Sequence, residues 1–118
     1  MPTPKDGETM NGPGSDRLDE ARKRVLSLLP RDEKGVLPLC FTIEEQVQNR
    51  LRDLNPGLAR IVLREITVQT DYLERIRSEQ WRYALNGEPV EQIQRYQREF
   101  ASGVLALREM WEREKQGE

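Results

Sequence analysis

"YALNGEPVEQI", residues 83–93, lies between two of the most regular stretches of the chain, and the fold depends on how it is read. Asn86-Gly87 is a helix C-terminal signal, because glycine takes the left-handed backbone conformation without steric cost. Pro89 suits the first turn of a new helix, and Glu91 is favourably placed near that helix's positive end. Cap and restart chemistry together predict a corner between two antiparallel helices.

The flanks support this reading. From Pro56 to Leu85 no residue interrupts a helical pattern, and Val62, Ile66, Gln69, Leu73, Ile76, Gln80 and Tyr83 recur at alternating spacings of four and three. One uninterrupted helix there would be about 45 Å long. Beyond the corner, Ile93, Tyr96, Phe100, Val104, Leu107 and Trp111 continue at spacings of three and four, and Gly103 among small residues would let a partner helix approach closely.

Upstream, Ser15 is placed to cap a first helix whose apolar face is Leu18, Ala21, Val25, Leu28 and Leu29, and Pro30 ends it. "PRDEKGVLPLCF", residues 30–41, reads as an extended apolar strap, since Pro38 removes a backbone donor from any strand. Thr42 and Glu45 fit a capping box, with Phe41 as hydrophobic staple, ahead of a second helix through Ile43, Val47, Leu51 and Leu54. Asn55 can cap the next helix, with Pro56 at its first position. The expected fold is all-α: a long antiparallel hairpin over about 56–115, with two shorter helices packed on it. Residues 1–15, rich in Pro, Gly, Thr and Asn, read as a disordered tail ahead of a single domain over 16–118.

Composition narrows the chemistry. A length of 118 residues suits one domain. Hydrophobic residues make up 36% and charged residues 34%, which suggests an elongated helical protein with a narrow core. There is no histidine and one cysteine, Cys40, so neither an internal disulfide nor a zinc site of the usual kind is available. No nucleophile–base pair and no phosphate-cradling glycine loop occurs, so neither an enzyme nor a cofactor is expected. No signal peptide or membrane span is present in the sequence, and a cytoplasmic location is the expectation.

Two functions follow as expectations. Isolated polar residues in an apolar seam set helix register and oligomeric state, so Gln69 and Gln80 point to self-association through the hairpin or to another helical partner. Trp81, Tyr96 and Trp111 would supply aromatic area for that surface. The alternative is nucleic acid: Arg60, Arg64, Arg75, Arg77 and Arg82 are the candidate phosphate contacts. The net charge of −2 gives no general attraction to a polyanion. The stretch "LNPGLARIVLREITVQTDYLERI…LNGEPVEQIQRYQREFASGVLALREM", residues 54–110, resembles the small terminase subunits of tailed phages and, equally, helical hairpins of mobile-element proteins. The terminase resemblance implies a non-catalytic DNA-recognition subunit that assembles into rings.

Overall fold

A computed structural model describes the backbone over residues 13–117 and the side chains from Asp16 to Gly117. The predicted disordered tail lies outside the described residues as far as residue 12; the first helix begins at Pro13, so residues 13–15 are helical and Ser15 lies within that helix rather than capping it. Among the described residues five helices and two small antiparallel hairpins follow one another. They are α1 (Pro13–Leu28), β1 (Arg31–Asp32), β2 (Gly35–Val36), α2 (Ile43–Arg50), α3 (Pro56–Thr67), α4 (Thr70–Ser78), β3 (Trp81–Tyr83), β4 (Pro89–Gln92) and α5 (Arg95–Gly117).

The all-α expectation and its long hairpin are therefore corrected. The predicted helix over 56–86 is three elements. α3 stops at Thr67, where Ile66, Thr67, Val68 and Thr70 crowd β-branched side chains that helices tolerate poorly. α4 then runs for nine residues and ends at Ser78, after which the chain becomes extended. Gln69 and Gln80 do not interrupt a continuous seam. Gln69 is the N-cap residue of α4 with extended geometry, and Gln80 lies just before β3.

"NGEP" is a turn between strands, so the helical corner is corrected too. β3 and β4 pair antiparallel, Trp81 with Gln92 and Arg82 with Glu91, with an irregularity between Arg82 and Tyr83. The Gly87 amide donates to the Ala84 carbonyl at 2.9 Å, and Gly87 sits at φ +86, where only glycine is unstrained. The Leu85 amide donates to Gln46 Oε1 at 3.0 Å, tying the turn to α2.

The predicted strap is also partly strand. Residues 31–36 form a hairpin, with Gly35 at φ +120 behind the turn. Leu39 then lies parallel to Tyr83. Pro38 is tolerated because its carbonyl, rather than the amide it lacks, serves the pairing: the Tyr83 amide donates to Pro38 O at 2.8 Å. Cys40 is buried, and its amide donates to the Tyr83 carbonyl at 3.0 Å.

Local capping is mixed. The Asn55 side chain accepts the Gly57 amide at 2.7 Å, with Pro56 at the start of α3. The Thr42–Glu45 box does not form, because Thr42 sits at φ −95, ψ 16 rather than in the extended region. Its hydroxyl instead accepts a hydrogen bond from Gln46 Nε2 at 3.0 Å. Phe41 is exposed rather than stapled.

The core is continuous. Ala21 and Val25 of α1, with Leu29 just after it, pack with Val47 of α2 and with Ala59, Val62, Leu63 and Ile66 of α3. Tyr72, Leu73 and Ile76 of α4 extend it to Ala101 and Leu105 of α5. A two-pronged ion pair from Arg22 to Glu65, 2.9 Å on each prong, clamps α1 to α3. Arg75 of α4 is buried at 8% exposure and holds Asp32 of the first hairpin at 2.6 and 2.8 Å. α5 packs on the short α4 through Ala101 and Leu105, so Tyr96, Phe100, Leu107 and Trp111 of the stripe expected to face a long partner helix look outward instead, while Ile93 is buried and Val104 packs against the core. No helix among the described residues is long and apolar enough to cross a membrane.

Candidate nucleic-acid interface

Arg82 enters this site from β3. Its Nη1 donates to the Leu39 carbonyl at 2.8 Å and its Nε to Gln97 Oε1 at 3.4 Å. The guanidinium lies over the Phe41 ring, 4.8 Å from the centroid, where the negative π face attracts it. Three elements thus fix one cation: the Leu39–Phe41 segment, β3 and the first turn of α5. Nη2 meets no carboxylate or backbone carbonyl among the described residues, so part of the five-donor fork is left for an acceptor from outside.

Tyr72 of α4 anchors the back of the site. Its hydroxyl accepts the buried Leu39 amide at 2.9 Å. Burial pushes the phenol's pKa up, against the smaller opposing pulls of the Leu39 amide and of the charge and hydrogen bonding of the Arg82 guanidinium. Tyr72 therefore stays neutral near pH 7 and can still donate its own proton to an acceptor.

Between α4, β3 and α5 lies a depression of about 370 Å³ lined by Tyr72, Leu73, Ile76, Arg82, Tyr96 and Phe100, among others. Tyr96 is 67% exposed and Phe100 70% exposed, so both rings stand free at its edge. No carboxylate lines it. Three other depressions each carry at least one: Glu74, Glu109 and Glu112 in one, Asp16, Glu20 and Asp53 in another, and Asp71 in a third. Of these four, the first alone offers an anion no like charge in its lining. A cation with spare donors beside two free aromatic rings can hold a phosphate and stack a base.

The other arginines expected to meet phosphate lie elsewhere. Arg75 spends its guanidinium on Asp32, the Gly35 carbonyl and Glu79. Arg60 is paired with Glu44 at 3.0 Å, and Arg77 with Glu74. Arg64 is exposed on α3. Among the interaction candidates, Tyr96 edges the pocket, Trp111 is exposed on α5, Trp81 is partly exposed on β3, and Gln69 and Gln80 are exposed at element ends. Tyr72, Phe41 and Phe100 are site residues that the sequence alone does not mark as such. Tyr72 and Arg82 are ten residues apart in different elements, and no periodicity links them.

The geometry defines a small mixed α/β domain with one cation held at an aromatic pocket. The chain matches the ProQ/FINO family over residues 17–118 and belongs to that family. Among solved structures it is similar to NMB1681 from Neisseria meningitidis MC58, described as a FinO-like RNA chaperone. The identity is 13%, the match covers 88% of this chain and 85% of that one, and the TM-score is 0.70, which shows a shared fold. No curated protein matches. These findings replace the terminase resemblance, which rested on a continuous helical hairpin that the chain does not form. They also displace the reading of the protein as a helical self-association module.

Proposed function

We propose that this protein binds RNA, without catalysis, through the pocket formed by Tyr72, Arg82, Tyr96 and Phe100, with Phe41 backing the cation. The observation that carries the reading is Arg82, fixed by Leu39, Phe41 and Gln97 with no carboxylate neutralising it, at the mouth of a carboxylate-free pocket edged by two free aromatic rings. Membership of the ProQ/FINO family and a fold shared with a FinO-like RNA chaperone support RNA as the ligand. Free rings at a cation favour unpaired nucleotides, because bases within a duplex do not present their faces. The net charge of −2 implies that binding depends on this local site rather than on the overall field.

Fluorescence anisotropy with a labelled RNA carrying a single-stranded end tests this. Arg82→Ala is expected to weaken binding and to flatten the log–log salt dependence by about 0.7 for one lost phosphate contact. Phe100→Ala is expected to cost about 1–3 kcal/mol with little change in that slope, since stacking releases no counterions. An Arg82→Ala protein that is folded and binds RNA as the parent does would refute the assignment.

A further inference from the structure

We infer that Gln97 is the positioning residue of the anion site: it orients Arg82 through a neutral amide at a place where a carboxylate would stabilise the fold better. Arg82 differs from the other arginines in its partners. Arg22, Arg24, Arg60, Arg75, Arg77 and Arg95 each pair with a carboxylate, whereas no ion pair among the described residues involves Arg82. Its partners are the Leu39 carbonyl, the Phe41 ring and Gln97 Oε1, all uncharged. Glu91 stands opposite Arg82 in the β3–β4 pairing, yet its carboxylate is engaged by the Phe41 amide at 3.1 Å.

Gln97 also has a task in its own helix. The Gln94 carbonyl accepts the Gln97 and Arg98 amides at 3.0 and 3.1 Å, which makes Gln94 the N-cap residue and Gln97 the third residue of α5. From there Gln97 Oε1 reaches back and accepts the Gln94 amide at 2.9 Å, the returning half of a capping box. The same oxygen accepts Arg82 Nε. Both donors are N–H groups that cannot accept, so the atom they share must be the amide oxygen. One oxygen thus ties the start of α5 to the guanidinium, and the amide nitrogen is left in the pocket lining, 3.5 Å from the Tyr96 hydroxyl.

Glutamate at this position would make the same returning bond. Its charge would suit the positive end of α5, whose first turn holds no acidic residue, and it would pair with Arg82. On stability alone glutamate is the better residue. For an anion it is the worse one, because it would neutralise Arg82 and place a negative charge in a lining that has none. The amide keeps Arg82 fixed and charged at once. This role rests on the RNA reading of the pocket, and Gln97 acts in it through Arg82.

Thermal unfolding and RNA anisotropy of the full chain test it together. Gln97→Glu should raise Tm by about 2–4 °C, from the helix end and the new ion pair. It should also weaken RNA binding about tenfold or more and flatten the log–log salt slope by about 0.7. A residue with a merely structural role would move stability and affinity in the same direction. Gln97→Met keeps the length without the hydrogen bonds; it should weaken binding in the parent and add nothing to Arg82→Ala. A Gln97→Glu protein that binds RNA as the parent does, or one with a lower Tm, would overturn the role of Gln97 and leave the pocket standing. So would a Gln97→Met that weakens the Arg82→Ala protein as much as it weakens the parent. Binding unchanged by Arg82→Ala would instead remove the pocket reading on which the role rests.

Discussion

Replacing Arg75 by Ala should loosen the first hairpin from α4. The guanidinium makes two bonds to Asp32, at 2.6 and 2.8 Å, one to Glu79 at 3.0 Å and a longer one to the Gly35 carbonyl at 3.3 Å. Breaking a fully buried ion pair by removing one partner costs about 3–5 kcal/mol. Here the carboxylates keep 41% and 30% of their side-chain exposure, so water can take over part of Arg75's role. The buried Nε has no hydrogen-bond partner among the described residues, a native cost that the substitution relieves. The expected loss is therefore about 2 kcal/mol, or roughly 10 °C in Tm for a domain of this size. Denaturant and thermal unfolding followed at 222 nm would measure it. A Tm within 2 °C of the parent would refute the assignment of Arg75 as a structural lock (about 0.5 kcal/mol or less).

The remaining predictions concern smaller changes. Arg75 hydrogen-bonds the Asp32 carboxylate and holds its pKa at about 2, below the usual 3.8. Its stabilisation is thus full above 3.8 and lost as pH falls toward 2. Asp32→Asn should accordingly destabilise at pH 6 and approach the parent by pH 2, as read from paired urea titrations. Tyr72→Phe leaves the buried Leu39 amide without its acceptor and should cost about 1–3 kcal/mol in chemical denaturation. Gly87→Ala meets open space but must hold φ +86, so about 1 kcal/mol of conformational strain should appear as a lower denaturant midpoint.

How much could be read from sequence depended on whether a signal was local. Asn55-Pro56 starts a helix as expected, because a cap and its amide are two residues apart and nothing distant competes. The first helix and its stop before the strap were legible for the same reason. The break at Val68 was not, because the chain resumes helix within two residues and keeps the spacing of four and three. Asn86-Gly87 misled for a different reason: a left-handed glycine closes a helix and also turns a hairpin, and three-residue β3 is too short to show alternation. At the site, Arg82 was visible as a candidate phosphate contact and Tyr96 as a candidate interaction residue. Their meeting with Tyr72, Phe41 and Phe100 is set by tertiary packing and the Leu39–Tyr83 bridge, which leave no trace in local pattern.

RNA bound in the pocket between α4, β3 and α5 can be located directly. Ultraviolet crosslinking of bound RNA, followed by mass spectrometry of the attached peptides, does so without any substitution. Crosslinks concentrated at Phe41, Tyr96 and Phe100, and lost when unlabelled RNA competes, are expected. Crosslinks confined to the α1–α3 side around Arg64, with none at these rings, would contradict this placement.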